Sequence, residues 1–322
     1  AEKGIVVTST NSLTIYAQTN GTGTLTATGT VDGNNASAGI GGSTASLDSG
    51  TITIHGGVIN ATGGGISLGN SGAGIGGGGS SSGNGGTANS ITIYGGDVTA
   101  TSKGTQGGGA GIGGGAGGYN GGAGNITICG GTVRATGGCM DTGLGGAGIG
   151  GGGAGTKSGD GTVTISGGKV TAVGGSNAAG IGGGGGYQFT SPFGSINITG
   201  GTGSVTISGG IVDATGGAGN SSGNYAGAPI GNGGNSGDTA ATVNKTTGII
   251  FENGVGTVCG NVTLAGSYNV PAGYTLNIPA GASLSGSGTL SGGETFTTDL
   301  SEDMISVPED LYYDGTDRTA EL

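Results

Sequence analysis

The chain has 322 residues, of which 91 are glycine, five are proline and none is tryptophan. Collagen is excluded because no Gly-X-Y triplet repeats, and disorder is disfavoured because β-branched residues recur at fixed positions among the glycines. Residues 294–322 hold nine of the 18 acidic residues and one of the seven basic ones, so most of the net charge of −11 lies there. The rest lacks the basic surface that nucleic acid requires, and no apolar run reaches the ~20 residues of a membrane span.

Residues 1–50 predict an irregular first coil. Leu13-Thr-Ile-Tyr and Leu25-Thr-Ala-Thr show the apolar–polar alternation of strands. Their inward positions, Ile15 and Ala27, are twelve residues apart, whereas the later repeats keep an interval of seven. A terminal repeat is expected to differ because its outer edge must resist pairing with another chain.

Residues 51–245 carry long repeats in which two β-branched runs flank a Gly-Gly pair. The first copy begins at Thr51 and reads Thr-Ile-Thr-Ile-His-Gly-Gly-Val-Ile-Asn-Ala-Thr. The last apolar residue of the first run and the Ala of the second run are seven residues apart in all five copies, at positions 54/61, 93/100, 128/135, 165/172 and 207/214. This constant interval predicts two short strands joined at a glycine corner, with Ile and Val inward and Thr outward.

The pentad Ala-Gly-Ile-Gly-Gly recurs along the same part of the chain. Its isoleucines are separated by steps of 35, 37, 37 and 32 residues, and a variant follows after 49 more, at Ile40, Ile75, Ile112, Ile149, Ile181 and Ile230. Alternation predicts a third strand with its Ala and Ile inward and its middle glycine outward. Such a strand would leave one outer face of the molecule almost without side chains.

Three short strands per repeat predict an all-β fold, a right-handed parallel β-helix with about 35–37 residues per coil. Coils would stack at about 4.8 Å, placing Ile on Ile and Ala on Ala. A bundle of polyproline-II helices would need glycine at every third position and would not contain the Ile-Thr-Ile runs. A β-propeller would need four strands per blade and aromatic anchors. Both alternatives are disfavoured.

Two features interrupt the repeats. The aromatic segment 187–193 is followed by a duplicate Ile-Asn-Ile-Thr-Gly-Gly that begins at Ile196, and together they predict an insertion. In the last pentad, Pro229 replaces the middle glycine. Because proline cannot donate to a strand ladder, this strand is expected to be irregular or to lie at an edge.

The solenoid is predicted to extend over residues 1–293, ending in short, loop-free closing coils at 246–293. Val262-Thr-Leu, Tyr274-Thr-Leu-Asn-Ile and Ala282-Ser-Leu mark these coils. Beyond them lies the acidic segment 294–322, whose stretch from Tyr312 resembles the first strand of a bacterial immunoglobulin-like module, cut short. The opening Ala-Glu-Lys is not a basic and apolar leader, which is expected of a mature secreted fragment.

Outward residues at equivalent positions of adjacent coils form columns with a spacing of about 5 Å. Asp97 shares a column with Val58, Thr132, Lys169 and Ile211. Asp213 shares a column with Asn60, Thr99, Arg134 and Thr171. Glycoside hydrolysis needs two carboxylates about 5–9.5 Å apart, and neither column holds two acids. No catalytic residue is predicted and an enzyme is disfavoured, with a polysaccharide-active glycoside hydrolase or lyase as the alternative.

The sequence offers few residues for metal or redox chemistry. His55 is the only histidine, and it stands at a variable corner position of the repeat. No cofactor is predicted. Calcium is kept as an alternative, although the Gly-Gly-x-Gly-x-Asp calcium repeat is missing and Asp160 and Asp238 are isolated in glycine loops. Cys129, Cys139 and Cys259 are an odd number and do not form a disulfide framework. They are interpreted as thiols, and a Cys129–Cys139 bridge remains open.

Binding of a sugar is favoured over catalysis. Aromatic faces stack on sugar rings, and the aromatic residues concentrate in the loops beside the pentads, where repeat proteins commonly bind ligands. The predicted ligand-binding residues are five loop aromatics and three charged residues of the outer columns: Tyr119, Tyr187, Phe189, Phe193, Tyr225, Asp97, Asp213 and Arg134. Alternatively, the aromatic rings cover apolar edges of the coils.

The motifs Ile-Thr-Ile-x-Gly-Gly-x-Val-x-Ala-Thr and Ala-Gly-Ile-Gly-Gly resemble glycine-rich repeats of secreted and cell-wall proteins of Gram-positive bacteria. They are also similar to carbohydrate-binding β-helix domains of clostridia. The resemblance covers about residues 50–240 and implies an extracellular, adhesin-like module whose partner is a polysaccharide or host glycan. It rests on positions that determine the fold, so it transfers no binding residue. A structural spacer is a further alternative.

Overall fold

The computed structural model describes residues 4–17, 23–44, 47–65, 69–104, 107–138, 144–191, 194–219, 225–292 and 296–298. Regular structure in these residues is all β. None of them forms a helix that is long and apolar enough to cross a membrane.

The first sixteen strands build the N-terminal half of a coil stack. In chain order they are β1 (Ile5–Val6), β2 (Ser12–Ile15), β3 (Thr24–Thr28), β4 (Val31–Asp32), β5 (Asn35–Ala36), β6 (Ile40–Gly41), β7 (Ser49–Ile54), β8 (Val58–Thr62), β9 (Ile75–Gly76), β10 (Gly79–Ser80), β11 (Ala88–Ile93), β12 (Asp97–Thr101), β13 (Ile112–Gly113), β14 (Gly124–Ile128), β15 (Thr132–Thr136) and β16 (Ile149–Gly150).

Fifteen further strands complete the stack and form a smaller C-terminal unit. They are β17 (Gly161–Val173), β18 (Ile181–Gly182), β19 (Tyr187–Ser191), β20 (Gly194–Ile198), β21 (Gly203–Thr215), β22 (Ile230–Gly231), β23 (Thr242–Lys245), β24 (Gly248–Glu252), β25 (Val255–Cys259), β26 (Asn261–Leu264), β27 (Tyr268–Asn269), β28 (Thr275–Ile278), β29 (Ser283–Gly286), β30 (Leu290–Ser291) and β31 (Phe296–Thr298).

The long repeats stack in parallel with like residues in register. First strands pair along β2, β7, β11, β14, β17 and β21, and second strands pair along β3, β8, β12, β15, β17 and β21. Ile93, for example, pairs with Ile54 on one side and Ile128 on the other. In β17 and β21 the two strands form one continuous element of 13 residues across the Gly-Gly corner. The predicted seven-residue interval and the predicted stacking of coils are confirmed.

One core runs through the stacked coils and consists almost entirely of Ile, Val and Ala. The inward isoleucines, such as Ile54, Ile93 and Ile112, have no exposed surface. Complete burial of such a side chain contributes about 1.5–3 kcal/mol. A single coil buries few of these side chains by itself, so it depends on its neighbours for stability.

The pentad is a tight turn that inserts its isoleucine into this core. In each pentad the Ala N–H donates to the carbonyl of the fifth residue, as from Ala73 to Gly77 at 2.8 Å. The six Ile-Gly pairs and Ile5–Val6 of β1 form a seven-stranded parallel sheet, β1-β6-β9-β13-β16-β18-β22. The glycine after each isoleucine has a φ between +133° and +139°, a conformation that L side chains rarely adopt.

The prediction that the middle glycine of the pentad points outward is wrong, because a Cβ there would point at the next coil. Gly111 is buried, and a Cβ placed there would lie 2.5 Å from the Thr136 nitrogen and 2.7 Å from the Gly148 oxygen. Strand alternation does not apply because the pentad turns back on itself. Glycine occurs here because the backbone of the next coil occupies the space of a side chain.

Glycine-rich segments on both sides of each pentad pack backbone against backbone and are here called the glycine arms. Residues 144–146 and 152–160, which flank the pentad 147–151, are one example. A continuous chain of peptide hydrogen bonds of 2.7–3.0 Å crosses successive coils through one arm. It passes through Gly78, Gly86, Gly115, Gly122, Gly152, Gly159, Gly184, Gly201 and Gly233. Each interior glycine of this chain donates through its N–H and accepts through its C=O, so the backbone polar groups of the arm are satisfied within the stack. The arms are therefore a structural layer.

The first predicted interruption of the repeats is a β-hairpin, and the second lies at the edge of the pentad sheet. Strands β19 and β20 pair in antiparallel orientation, with Tyr187 opposite Ile198, and form an insertion at the tip of a glycine arm. Strand β22, which follows Pro229, is the last strand of the pentad sheet. The proline therefore stands at an edge, where its missing N–H breaks no ladder.

The C-terminal unit, residues 255–298, is a separate short coil stack. Strand β24 still pairs in parallel with β21, but β25 then reverses and pairs in antiparallel orientation with β24. From β26 to β29 the chain repeats at an interval of 22 residues. The core of this unit packs on Ile211, Ile249 and Phe251 of the main stack. The segment 299–322, which contains the predicted immunoglobulin-like stretch, lies outside the described residues.

Candidate functional site

Three predicted site residues, Asp97, Arg134 and Asp213, lie on the outer face of the second strands, here called the second-strand face. The predicted columns are confirmed, since Asp97 pairs with Thr132 and Arg134 pairs with Thr171 in the parallel ladders. Every other side chain of these strands points inward and is buried, which fixes the outward direction of the intervening ones.

Asp97 and Arg134 bind each other across adjacent coils. The guanidinium Nη1 of Arg134 lies 2.5 Å from the carboxylate Oδ1 of Asp97. The side chain of Arg134 is 53% exposed and that of Asp97 is 49% exposed. A pair this exposed contributes at most about 1 kcal/mol. Both charges are partly satisfied by this contact, so they are less available to a ligand than unpaired charges would be.

A groove lies on the second-strand face where the C-terminal unit packs against it. It contains two neighbouring cavities of about 310 and 250 Å³, which share Lys169 and Ile211 in their walls. The first cavity is bounded by Thr132 and by Val262 to Tyr268 of the C-terminal unit. The second is bounded by Thr171, Asp213, Phe251, Asn269 and Pro271. Polar and apolar groups therefore alternate along one open groove.

Asp97 and Arg134 belong to adjacent coils and are offset by two positions along the strand direction. Lys169 and Asp213 have the same offset, with the positive and negative charges exchanged. Lys169 pairs with Ile211 and Thr171 pairs with Asp213, so the two charged residues belong to adjacent coils. Neither side chain has a hydrogen bond or a direct ion pair within the described part of the chain. Burial raises the pKa of the Asp213 carboxyl, and the positive charge of Lys169 partly offsets that rise.

The second-strand face does not bring two carboxylates together. Asp97 and Asp213 are separated by three coil steps, or about 14 Å at the usual strand spacing. Inverting glycosidases need at most about 9.5 Å between the two groups. This pair can form hydrogen bonds with a ligand but lacks the geometry for acid–base hydrolysis.

Three of the five predicted aromatic residues, Tyr119, Tyr187 and Tyr225, lie elsewhere, on the glycine arms. Tyr119 is 60% exposed, and Tyr187 begins the inserted hairpin. Tyr225 donates a hydrogen bond from its hydroxyl to Gln188 of that hairpin at 3.2 Å, which brings two loops together. The side chain of Phe189 and the whole of Phe193 lie outside the described residues. The structure thus separates the six predicted residues whose side chains it describes into two groups.

Asp160 and His55 contact residues of neighbouring coils. Asp160 accepts hydrogen bonds from the backbone and side chain of Thr202 in the next coil and pairs with Lys157. His55 stacks between the rings of Tyr16 and Tyr94, with centroids 4.6 and 4.8 Å away. This confirms its position at an exposed corner.

The structure describes two of the three cysteines. Cys129 and Cys259 are half-buried free thiols, and Cys139 lies outside the described residues. Burial raises the pKa of the Cys259 thiol, the charge of Lys245 opposes this, and Glu252 adds to the rise. The described residues contain no group of three His, Cys, Asp or Glu side chains that could hold a metal ion.

The comparisons with known proteins agree with this architecture. A family model described as a beta helix repeat matches residues 52–79, 91–116, 126–153, 163–185 and 205–224. The chain is a parallel β-helix repeat protein. Its parallel crossovers are right-handed, as such connections are. Searches of curated proteins and of solved structures gave no match, so the family shows the fold of this β-helix and assigns it no activity.

Several groove residues were not identified as site residues from the sequence. In the sequence, Lys169 is recognisable only as a member of an outward column. That it forms no ion pair with a described residue can be seen only in the structure. Tyr268, Asn269 and Pro271 are far from Lys169 in sequence and reach the groove because β25 reverses the chain. No local sequence pattern indicates that reversal.

Proposed function

We propose that this β-helix is a non-catalytic, adhesin-like module of a bacterial cell surface and that it binds a polysaccharide or host glycan in the groove. One observation carries the proposal: Lys169 and Asp213 line an open groove, and neither has a hydrogen-bond partner among the described residues. The Asp213 carboxylate is partly buried, and a charged group that is partly removed from water favours a ligand that satisfies it, whereas the exposed Lys169 offers an ammonium donor. The proposed binding requires no cofactor.

The composition of the groove suits a sugar. Thr132, Thr171 and Asn269 supply hydroxyl and amide groups, while Tyr268 and Pro271 supply apolar surface. Sugar rings present hydroxyls at their edges and C–H groups on their faces, so they need both kinds of contact. Sites for small ligands usually combine apolar walls with a few polar groups that fix orientation.

A panel of immobilised glycans and insoluble polysaccharides tests the proposal. The wild-type protein is expected to bind at least one member, and Asp213→Ala is expected to weaken that binding about tenfold, since a charged hydrogen bond is lost. Asp238→Ala is the matched control because Asp238 is exposed and lies outside the groove. Failure of the wild-type protein to bind any member would contradict the proposal.

An extracellular or cell-wall location belongs to the same proposal. The stack exposes many Ser, Thr and Asn side chains on its outer strands, and the repeat motifs resemble those of Gram-positive surface proteins. Fractionation of producing cells, followed by immunodetection in the wall and medium fractions, tests the location. Retention of the protein in the cytoplasm would contradict it.

A further inference from the structure

The two cavities of the groove differ in the charges that line them. Among the described residues around the first cavity, Lys169 is the single charged one, accompanied by the hydroxyl-bearing Thr132, Thr263 and Tyr268. The second cavity also contains Lys169, and it adds the carboxylate of Asp213. The first cavity is therefore positive, and the second is close to neutral.

The floor of the first cavity consists of backbone rather than side chains. Gly131, Gly168 and Gly210, which are the second glycines of three successive corners, line it together. A ligand can therefore approach the chain closely beside Lys169. Among the described residues, the ammonium group has three donors and no hydrogen-bond acceptor. The Asp213 carboxylate acts on it through its charge but forms no ion pair with it, so the donors are open to an anionic ligand group.

We propose that the groove selects acidic glycans, with a carboxylate-bearing sugar residue in the first cavity against Lys169 and a neutral sugar residue in the second. This inference rests on the proposed glycan-binding function. The charges determine which sugar residue occupies which cavity. Asp213 repels a carboxylate from the second cavity and accepts hydrogen bonds from sugar hydroxyls there. A carboxylate also forms a stronger hydrogen bond to an ammonium than a hydroxyl does.

Two pairs of probes isolate the carboxylate. The first pair is a glucuronate-containing oligosaccharide and its carboxyl-reduced counterpart, and the second is sialyllactose and its carboxyl-reduced counterpart. At low salt, the acidic member of at least one pair is expected to bind about tenfold more tightly than its neutral partner. The preference should fall as salt rises, since an open groove is screened. The pair that shows it identifies the carboxylate as a uronate or a sialate.

Lys169→Met tests the assigned residue, with Lys103→Met as the matched control. Lys103 is exposed on a glycine arm, so both variants lose one positive charge and keep a long side chain. Lys169→Met is expected to bind the acidic and neutral probes equally, whereas Lys103→Met keeps the preference. A preference that survives in Lys169→Met would overturn the assignment.

The outcomes distinguish this inference from the function on which it rests. Binding of neutral probes that Asp213→Asn weakens, without any preference for the acidic probes, overturns the inference and leaves glycan binding in the groove intact. Absence of binding to every probe and to the wider glycan panel overturns both. A circular dichroism spectrum that matches the wild type shows that each variant is folded.

Discussion

At the scale of single residues, the middle glycine of the pentad has no room for a side chain. Gly111→Ala would place a Cβ 2.5 Å from a backbone nitrogen of the neighbouring strand, so two coils would have to separate locally. We expect a loss of at least about 2 kcal/mol in the free energy of unfolding, measured by urea denaturation.

Gly83→Ala is the control for this substitution. The nearest atom to a Cβ at Gly83 is the Ser80 hydroxyl oxygen at 3.3 Å, which belongs to a side chain at an arm tip. We expect a change within about 0.5 kcal/mol. Equal effects of the two substitutions would contradict the close packing of the pentad against the next coil.

Asp160 gives the stack a pH dependence. Burial raises the pKa of its carboxyl, but hydrogen bonds from Thr202 and the charge of Lys157 outweigh this and hold the pKa below its usual value. Because the folded-state pKa is depressed, the stabilisation is complete above the unfolded-state pKa of about 3.9 and is lost as pH falls through the folded-state value.

Asp160→Asn tests this contribution. At pH 7 the variant is expected to be less stable by about 1 kcal/mol, at the low end for charged hydrogen bonds because the carboxylate is half exposed. Urea midpoints of the variant and the wild type should converge as the pH falls through the lowered folded-state pKa of Asp160. A difference that stays constant across the pH range would show that the carboxylate charge is not responsible.

At the scale of elements, the hairpin β19–β20 is an addition to the stack rather than part of it. The pentad strands β18 and β22 pair directly across the insertion, with Ile181 opposite Ile230. Replacing residues 188–197 with Asn-Gly, which favours a tight hairpin turn, is expected to change the unfolding free energy by less than about 1 kcal/mol. Ile181→Ala, by contrast, should cost about 2–5 kcal/mol. A large loss on loop replacement would assign the hairpin a structural role.

The sequence predicted those elements whose geometry is local and repeated. The seven-residue interval gave the register of β11 with β7 and β14, because a side-chain period of two leaves one inward face. The pentad was misjudged since Ala-Gly-Ile fits strand alternation, while the closing bond from Ala73 to Gly77 depends on the arms around it. The reversal at β25 and the groove beside it depend on long-range packing, which no interval records.

At the scale of the whole molecule, the C-terminal unit completes both the core and the groove. Truncation after Glu252 would remove the cover from Ile211, Ile249 and Phe251. Exposed apolar patches of this kind promote association, so we expect the truncated protein to self-associate in light scattering and to lose glycan binding. Phe251→Ser in the truncated chain should reduce the association. A monomeric truncated protein with full binding would contradict the position of the groove.

The position of the ligand site is the central claim, and a titration that compares the two groups of predicted residues tests it most directly. With the tightest glycan from the panel, dissociation constants are measured for the wild type, Asp213→Ala in the groove and Tyr119→Ala on a glycine arm. The groove variant is expected to bind about tenfold more weakly, and the arm variant to remain within about twofold of the wild type. The reverse pattern, loss in Tyr119→Ala with Asp213→Ala unchanged, would place the site on the arm tips and contradict the account.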